Sequence, residues 1–246
     1  MAKKLLDYYD VVYARDIASR FKEVRSDFDE KAFVMYIEKH LGNEKFLERQ
    51  DIYVDALERY LDEDYRANLR IFEAIWGEEL ETETGMFKVG WWLWPIGRYV
   101  ERHALEDVEA SMRFIKEFTK RQTGEYAIRP ILIEHTERTM HKMLEWSRDE
   151  NVHVRRLSSE GLRLYLPWTK RTTVALEYIE LFTQILTNLK DDPSKFIQKS
   201  IGNNLNDLYK YDPALADGII SKWENEGLSD SAKWIIKHGR RNQWEK

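Results

Sequence analysis

The chain has 246 residues, no cysteine and a formal net charge of −5, which excludes disulfides and thiolate metal sites and fits a reducing compartment. No apolar run approaches the roughly 18 residues of a membrane span, and the opening MAKKLLDYYD lacks the apolar stretch of a secretion signal. The expectation is a cytoplasmic protein without a membrane partner. Its six histidines include no i, i+4 pair, so neither a metal nor another cofactor is expected.

Candidate helices fill nearly the whole sequence. Segments 28–41, 48–62 and 65–77 carry apolar residues at three- and four-residue steps with Asp or Glu early in each. A polar stretch, GEELETETG, leads into an aromatic block at 90–99. Further helical segments follow at 105–122, 125–135, 137–149, 151–163, 174–190, 194–211, 213–225 and 229–241. No alternating, β-branched run makes a credible strand. The five prolines and eleven glycines are scattered, so residues 1–246 read as one all-α domain.

The most telling pattern is an internal echo. DENVHVRRLSSEGLR, from Asp149, reappears 43 residues later as DPSKFIQKSIGNNLN, from Asp192. Each copy has an acidic entry and then apolar residues at helical spacing: Val154, Leu157 and Leu162 in one, Ile197, Ile201 and Leu205 in the other. A fixed period of this length predicts a HEAT-like helical-repeat solenoid, in which each helix pair hides its apolar face against the next. At about 100° per residue, Arg156, Ser159 and Arg163 fall opposite the apolar stripe of the first copy. Lys199, Gly202 and Asn206 do so in the second. These positions predict either a basic, amide-rich concave groove or an ordinary solvated face. Charge placement permits the groove, because residues 1–90 sum to −7 and residues 91–246 to +2.

The block GWWLWPIGRYVE places Trp91, Trp92, Trp94 and Tyr99 within nine residues, with Glu101 after them. Neighbouring tryptophans point different ways on a helix, so at least one is expected exposed or half-exposed in a cleft. There it would suit a cationic or π-rich ligand. Packing at a repeat junction is the alternative.

The segments WPIGRYVE, EYAIRPILIEH, DENVHVRRLSSEGLRLYLPW and DPSKFIQKSIGNNLNDLYKYDP resemble, in order and spacing, the bacterial DNA alkylation repair glycosylases of the AlkC/AlkD superfamily, nearer the AlkC side. The resemblance runs from about Phe28 to Arg241. It implies a solenoid that binds duplex DNA and removes N3- or N7-alkylated purines without flipping the base. Carboxylates at matching positions, Glu125, Asp207 and Glu101, would stabilise an oxocarbenium-like sugar and place water. Trp92, Trp94 and Trp168 are the expected aromatic contacts. Arg129, Arg156, Arg163, Lys199 and Asn203 are the expected DNA contacts, with a monomer as the expected state. The sequence departs from the family pattern at Leu164 and Tyr165, where Pro and Arg are usual. It departs from the AlkD branch at Ile96 and Asn203. A catalytically silent DNA-binding relative and a HEAT-type protein scaffold are the alternatives.

Overall fold

A computed structural model describes residues 4–61, 64–83 and 86–242. Those residues form helices and connecting turns, with no strand among them. The packing groups into two compact units, Met1–Ala127 and Ile128–Lys246.

The first unit contains α1 (Val11–Val24), α2 (Glu30–His40), α3 (Phe46–Leu61), α4 (Tyr65–Ile75), α5 (Trp94–His103) and α6 (Val108–Phe118). Aspartates cap four of them: the side chains of Asp10, Asp29, Asp64 and Asp107 accept from first-turn backbone N–H groups. These are donors that the helix itself leaves orphaned. α1 lay outside the segments read as helical, although Tyr13, Ile17 and Phe21 recur every fourth residue and are all buried. Phe21 meets Phe28, Phe33 and Phe72 at ring-centroid separations of 5.5, 6.3 and 6.1 Å, an aromatic core that binds α1 to its neighbours.

The second unit contains α7 (Arg129–Glu134), α8 (Thr136–Trp146), α9 (Val152–Glu160), α10 (Ile179–Leu189), α11 (Lys195–Tyr211), α12 (Pro213–Glu226) and α13 (Asp230–Gly239). Here the echo is realised as stacked layers, although α9 has 9 residues and α11 has 17. α8 and α10 both have 11 residues and both begin and end 43 residues apart. α8 packs on α10 and α9 on α11, so the two copies occupy equivalent places in successive layers of a helical-repeat fold.

The caps repeat as well. The Asp149 carboxylate accepts from the Asn151 N–H at 2.9 Å, and Asp192 accepts from Ser194 N–H at 2.9 Å. Asn151 and Ser194 in turn cap α9 and α11. Arg155 then donates to the Asp149 carbonyl as Gln198 does to the Asp192 carbonyl. Different residue types thus satisfy the same backbone atoms in each copy, which is why sequence identity is low while the pattern survives.

Candidate nucleic-acid interface

α9 ends at Glu160, and Gly161 beyond it sits where a side chain would be crowded. A Cβ there would lie 3.0 Å from the Ile128 side chain and 3.1 Å from the Leu157 carbonyl oxygen. From that close approach the chain enters a loop that carries LPW. Arg129 fixes this loop from beneath, its guanidinium donating to the carbonyls of Gly161 (3.3 Å), Arg163 (2.7 Å) and Lys170 (3.1 Å). Arg129 is itself buried. The expected contact of Arg129 with DNA is corrected by the structure, because its donors are turned inward onto the loop backbone.

At the loop's tip Trp168 is 54% exposed, and its φ of 65° is the only positive φ of a non-glycine among the described residues. Left-handed backbone costs a bulky residue about 1–3 kcal/mol and persists where the surroundings impose it, often at functional sites. Lys170 and Arg171 follow it, both exposed. The Arg171 guanidinium lies 4.8 Å from the centre of the Tyr165 ring and 5.1 Å from that of Tyr211. Tyr165, where the family usually has Arg, therefore carries a cation on its face.

Under the loop runs a chain of paired charges, most of them buried. Arg163 Nε stands 3.0 Å from Asp207 and Arg163 Nη1 3.0 Å from Glu160. Arg156 approaches Glu160 at 3.5 Å. Burial alone would raise the Glu160 pKa, but the positive charges of Arg156 and Arg163, with a hydrogen bond from Ser200, outweigh it and hold the carboxyl below its usual range. Asp207 is wholly buried, its oxygens taken by Arg163 and by the Tyr165 N–H at 3.2 Å.

Two expectations are corrected by this network. Arg163 does not present a cation to phosphate, because its guanidinium is buried between two carboxylates. Asp207 does not stand open to a substrate, because it anchors α11 to the loop after α9. Gly202 and Asn206, expected on an open groove face, are covered by α13: Asn206 is buried and donates to the Gly239 carbonyl, and Gly202 lies against the His238 ring.

The remaining predicted contacts stay closer to the surface. Arg156 is half-buried with its guanidinium 4.6 Å from the Phe196 ring centre. Lys199 is exposed, and the half-buried Asn203 accepts at its Oδ1 from His238 (3.1 Å) and Arg241 (3.2 Å). Neither of those two donors was singled out in the sequence, nor was Glu160. Trp234 and His238, one turn apart on a helix that carries Lys233 and Lys237 and leads into Arg240 and Arg241, were the available signal.

In the first unit the tryptophans divide. Trp91 is half-buried against Tyr8, Tyr9 and Tyr13, and Trp94 is buried against Phe46 and Tyr126. Both pack within the fold, so Trp94 is corrected from a ligand contact to a core residue. Trp92 is half-buried, and the cation over its ring is the chain's own Arg20, 4.4 Å from the centroid. Glu101 pairs with Arg98 at 2.8 Å. These two residues line a small recess with Trp94, Gln122, Thr123 and Tyr126. Glu125 is buried and accepts from the Thr123 hydroxyl. Among the described residues no helix is long and apolar enough to cross a membrane, and no three His, Asp or Glu groups could hold a metal ion.

The model of the DNA alkylation repair enzyme family matches residues 98–240, more than half the chain. The chain belongs to that family. Other comparisons agree. The alkylpurine DNA glycosylase AlkC of Pseudomonas fluorescens, solved bound to DNA containing an abasic site analogue, matches all of this chain at 31% identity and a TM-score of 0.86. AlkD2 of Streptococcus mutans shares the fold, with a TM-score of 0.56, 19% identity and coverage of 93% of this chain and 98% of its own. The uncharacterized protein YhaZ of Bacillus subtilis is 38% identical over 148 residues, which is 60% of this chain. The chain spans 66% of the AlkC chain and 41% of YhaZ. For this alkylation repair family member, the sequence resemblance and the all-helical repeat fold therefore agree.

Proposed function

We propose that this chain is a DNA glycosylase that releases N3- and N7-alkylated purines from duplex DNA without pulling the base into a pocket, working in the cytoplasm as a monomer. The observation that carries this reading is the Trp168 loop: an exposed indole, held in left-handed backbone and pinned by Arg129, with two cations after it. A rigid indole attracts a cationic alkylpurine through its negative face. The flanking cations suit a phosphate backbone.

An alkylated purine already carries positive charge, so it leaves as a neutral base when its C1′–N bond breaks and needs no proton from the protein. The positive charge passes to the deoxyribose, and water then adds at C1′ and loses a proton. A carboxylate in a poorly hydrated site would stabilise that charge and orient the water. Glu125 is assigned this role from its place in EYAIRP and its burial. Asp207 and Glu160 then act one step back, holding Arg163 and through it the loop. Glu101 and Arg98 border the recess beside Tyr126 and are assigned to positioning rather than to chemistry.

The test is single-turnover release of labelled 3-methyladenine and 7-methylguanine from methylated duplex. Release by the parent supports the glycosylase. Duplex binding without release would instead indicate a catalytically silent relative.

A further inference from the structure

Where α11 and α13 pack, several nitrogen groups converge outside the network of Arg163 and Asp207. Gly202 makes this possible: a Cβ there would come within 2.7 Å of His238 Cδ2, so only glycine lets the imidazole rest on α11. The ring also stacks on Trp234, at 5.0 Å between centroids and 7° between planes, and Lys195 Nζ lies 4.7 Å from the centre of that same indole. Arg241 Nη1 donates to the His238 carbonyl at 2.6 Å.

Asn203 fixes the proton on the ring. Arg241 can only donate, so the Asn203 atom it meets is the amide oxygen. His238 Nε2 meets that same oxygen at 3.1 Å and must therefore carry hydrogen. Nδ1 is left as the basic nitrogen, and among the described residues it makes no hydrogen bond. The Asn203 NH2 group remains a further donor. Among the described residues, no carboxylate forms an ion pair with Lys199, His238 or Arg241.

We propose that Lys199, His238, Arg241 and the Asn203 amide form a clamp for a backbone phosphate of duplex DNA, and that closing it takes up a proton on His238. This rests on the reading of DNA as the partner. The charged groups facing the ring are Lys199 from α11 and Arg241 from the turn after α13. Burial holds His238 below its ordinary pKa, and the charges of Arg241 and Lys199 push the same way. Arg241 is also held low, by burial and by Arg163, with Asp207 opposing. A phosphate placed among these groups relieves their repulsion and raises the His238 pKa. The sign follows from linkage: binding consumes a proton between the free and bound pKa values, so affinity rises as pH falls through that window, by at most about tenfold per pH unit.

The experiment is fluorescence anisotropy of a labelled unmethylated duplex from about pH 5.5 to 8.5 at several salt concentrations, with base release from methylated duplex measured alongside. The parent should bind more tightly at lower pH. His238→Gln, which keeps a donor for Asn203, should lose that pH dependence. Lys199→Ala and Arg241→Ala should each flatten the slope of log affinity against log salt by about one. Lys222→Ala, exposed on α12, should change neither. If the parent binds and releases base while His238→Gln keeps its pH profile, or both cation variants keep its salt slope, the clamp is wrong and the glycosylase stands. If the parent neither binds nor releases, both readings fall.

Discussion

Arg163 Nε and Asp207 Oδ2 stand 3.0 Å apart and 44 residues apart in sequence, a buried ion pair that joins the loop after α9 to α11. Asp207 is 0% exposed and Arg163 8%, so neither charge has water to fall back on. Removing one partner of such a pair typically costs about 3–5 kcal/mol, most of it from the stranded charge. Asp207→Ala should therefore lower unfolding free energy by about that much in urea titration. A variant as stable as the parent would mean that Glu160 alone compensates Arg163 and that the pair with Asp207 does not hold the layers together.

Trp168 separates stability from activity. Glycine relieves left-handed backbone at the cost of a more flexible unfolded chain, and these effects are of similar size. Trp168→Gly should accordingly stay within about 1 kcal/mol of the parent in stability yet release base roughly tenfold more slowly, since a desolvated cation–π contact is worth about 1–2 kcal/mol. Full activity in this variant would remove the indole from the site.

Arg129 tests whether the loop must be rigid. Lysine keeps the charge but cannot reach three carbonyls with one planar fork. Arg129→Lys should lose about 2 kcal/mol of stability through unsatisfied buried carbonyls and slow base release while leaving the salt slope of DNA binding unchanged. A slope reduced by about one would restore the phosphate contact read from sequence.

The repeat was legible because its signal is periodic. Val154 and Leu162 recur as Ile197 and Leu205 at a fixed offset, and the caps Asn151 and Ser194 fall at that same offset. The division near Ala127 was not legible, since no proline or glycine cluster announces it. The charges were not legible for a related reason. A helical wheel places Arg163 on the face opposite the apolar stripe, but α9 ends at Glu160, so the wheel does not apply to a residue three positions beyond. Likewise Gly202 and Asn206 do lie away from the apolar stripe of α11, but a wheel for one helix cannot show that α13 packs there. Among adjacent tryptophans, sequence indicated that they must diverge without saying which one stays near the surface. The structure leaves Trp91 and Trp92 half-buried and buries Trp94.

The most direct test of the glycosylase itself is single-turnover release of 3-methyladenine and 7-methylguanine from methylated duplex, comparing the parent with Glu125→Gln. Glutamine keeps the shape of Glu125 and an oxygen to accept from the Thr123 hydroxyl while removing the charge. The expected result is release by the parent, with Glu125→Gln slower by roughly two orders of magnitude, as when one electrostatic stabiliser is lost, and with duplex binding retained. Release by both at the same rate would contradict the assignment of Glu125, and a folded, DNA-binding parent that releases no base would contradict the glycosylase.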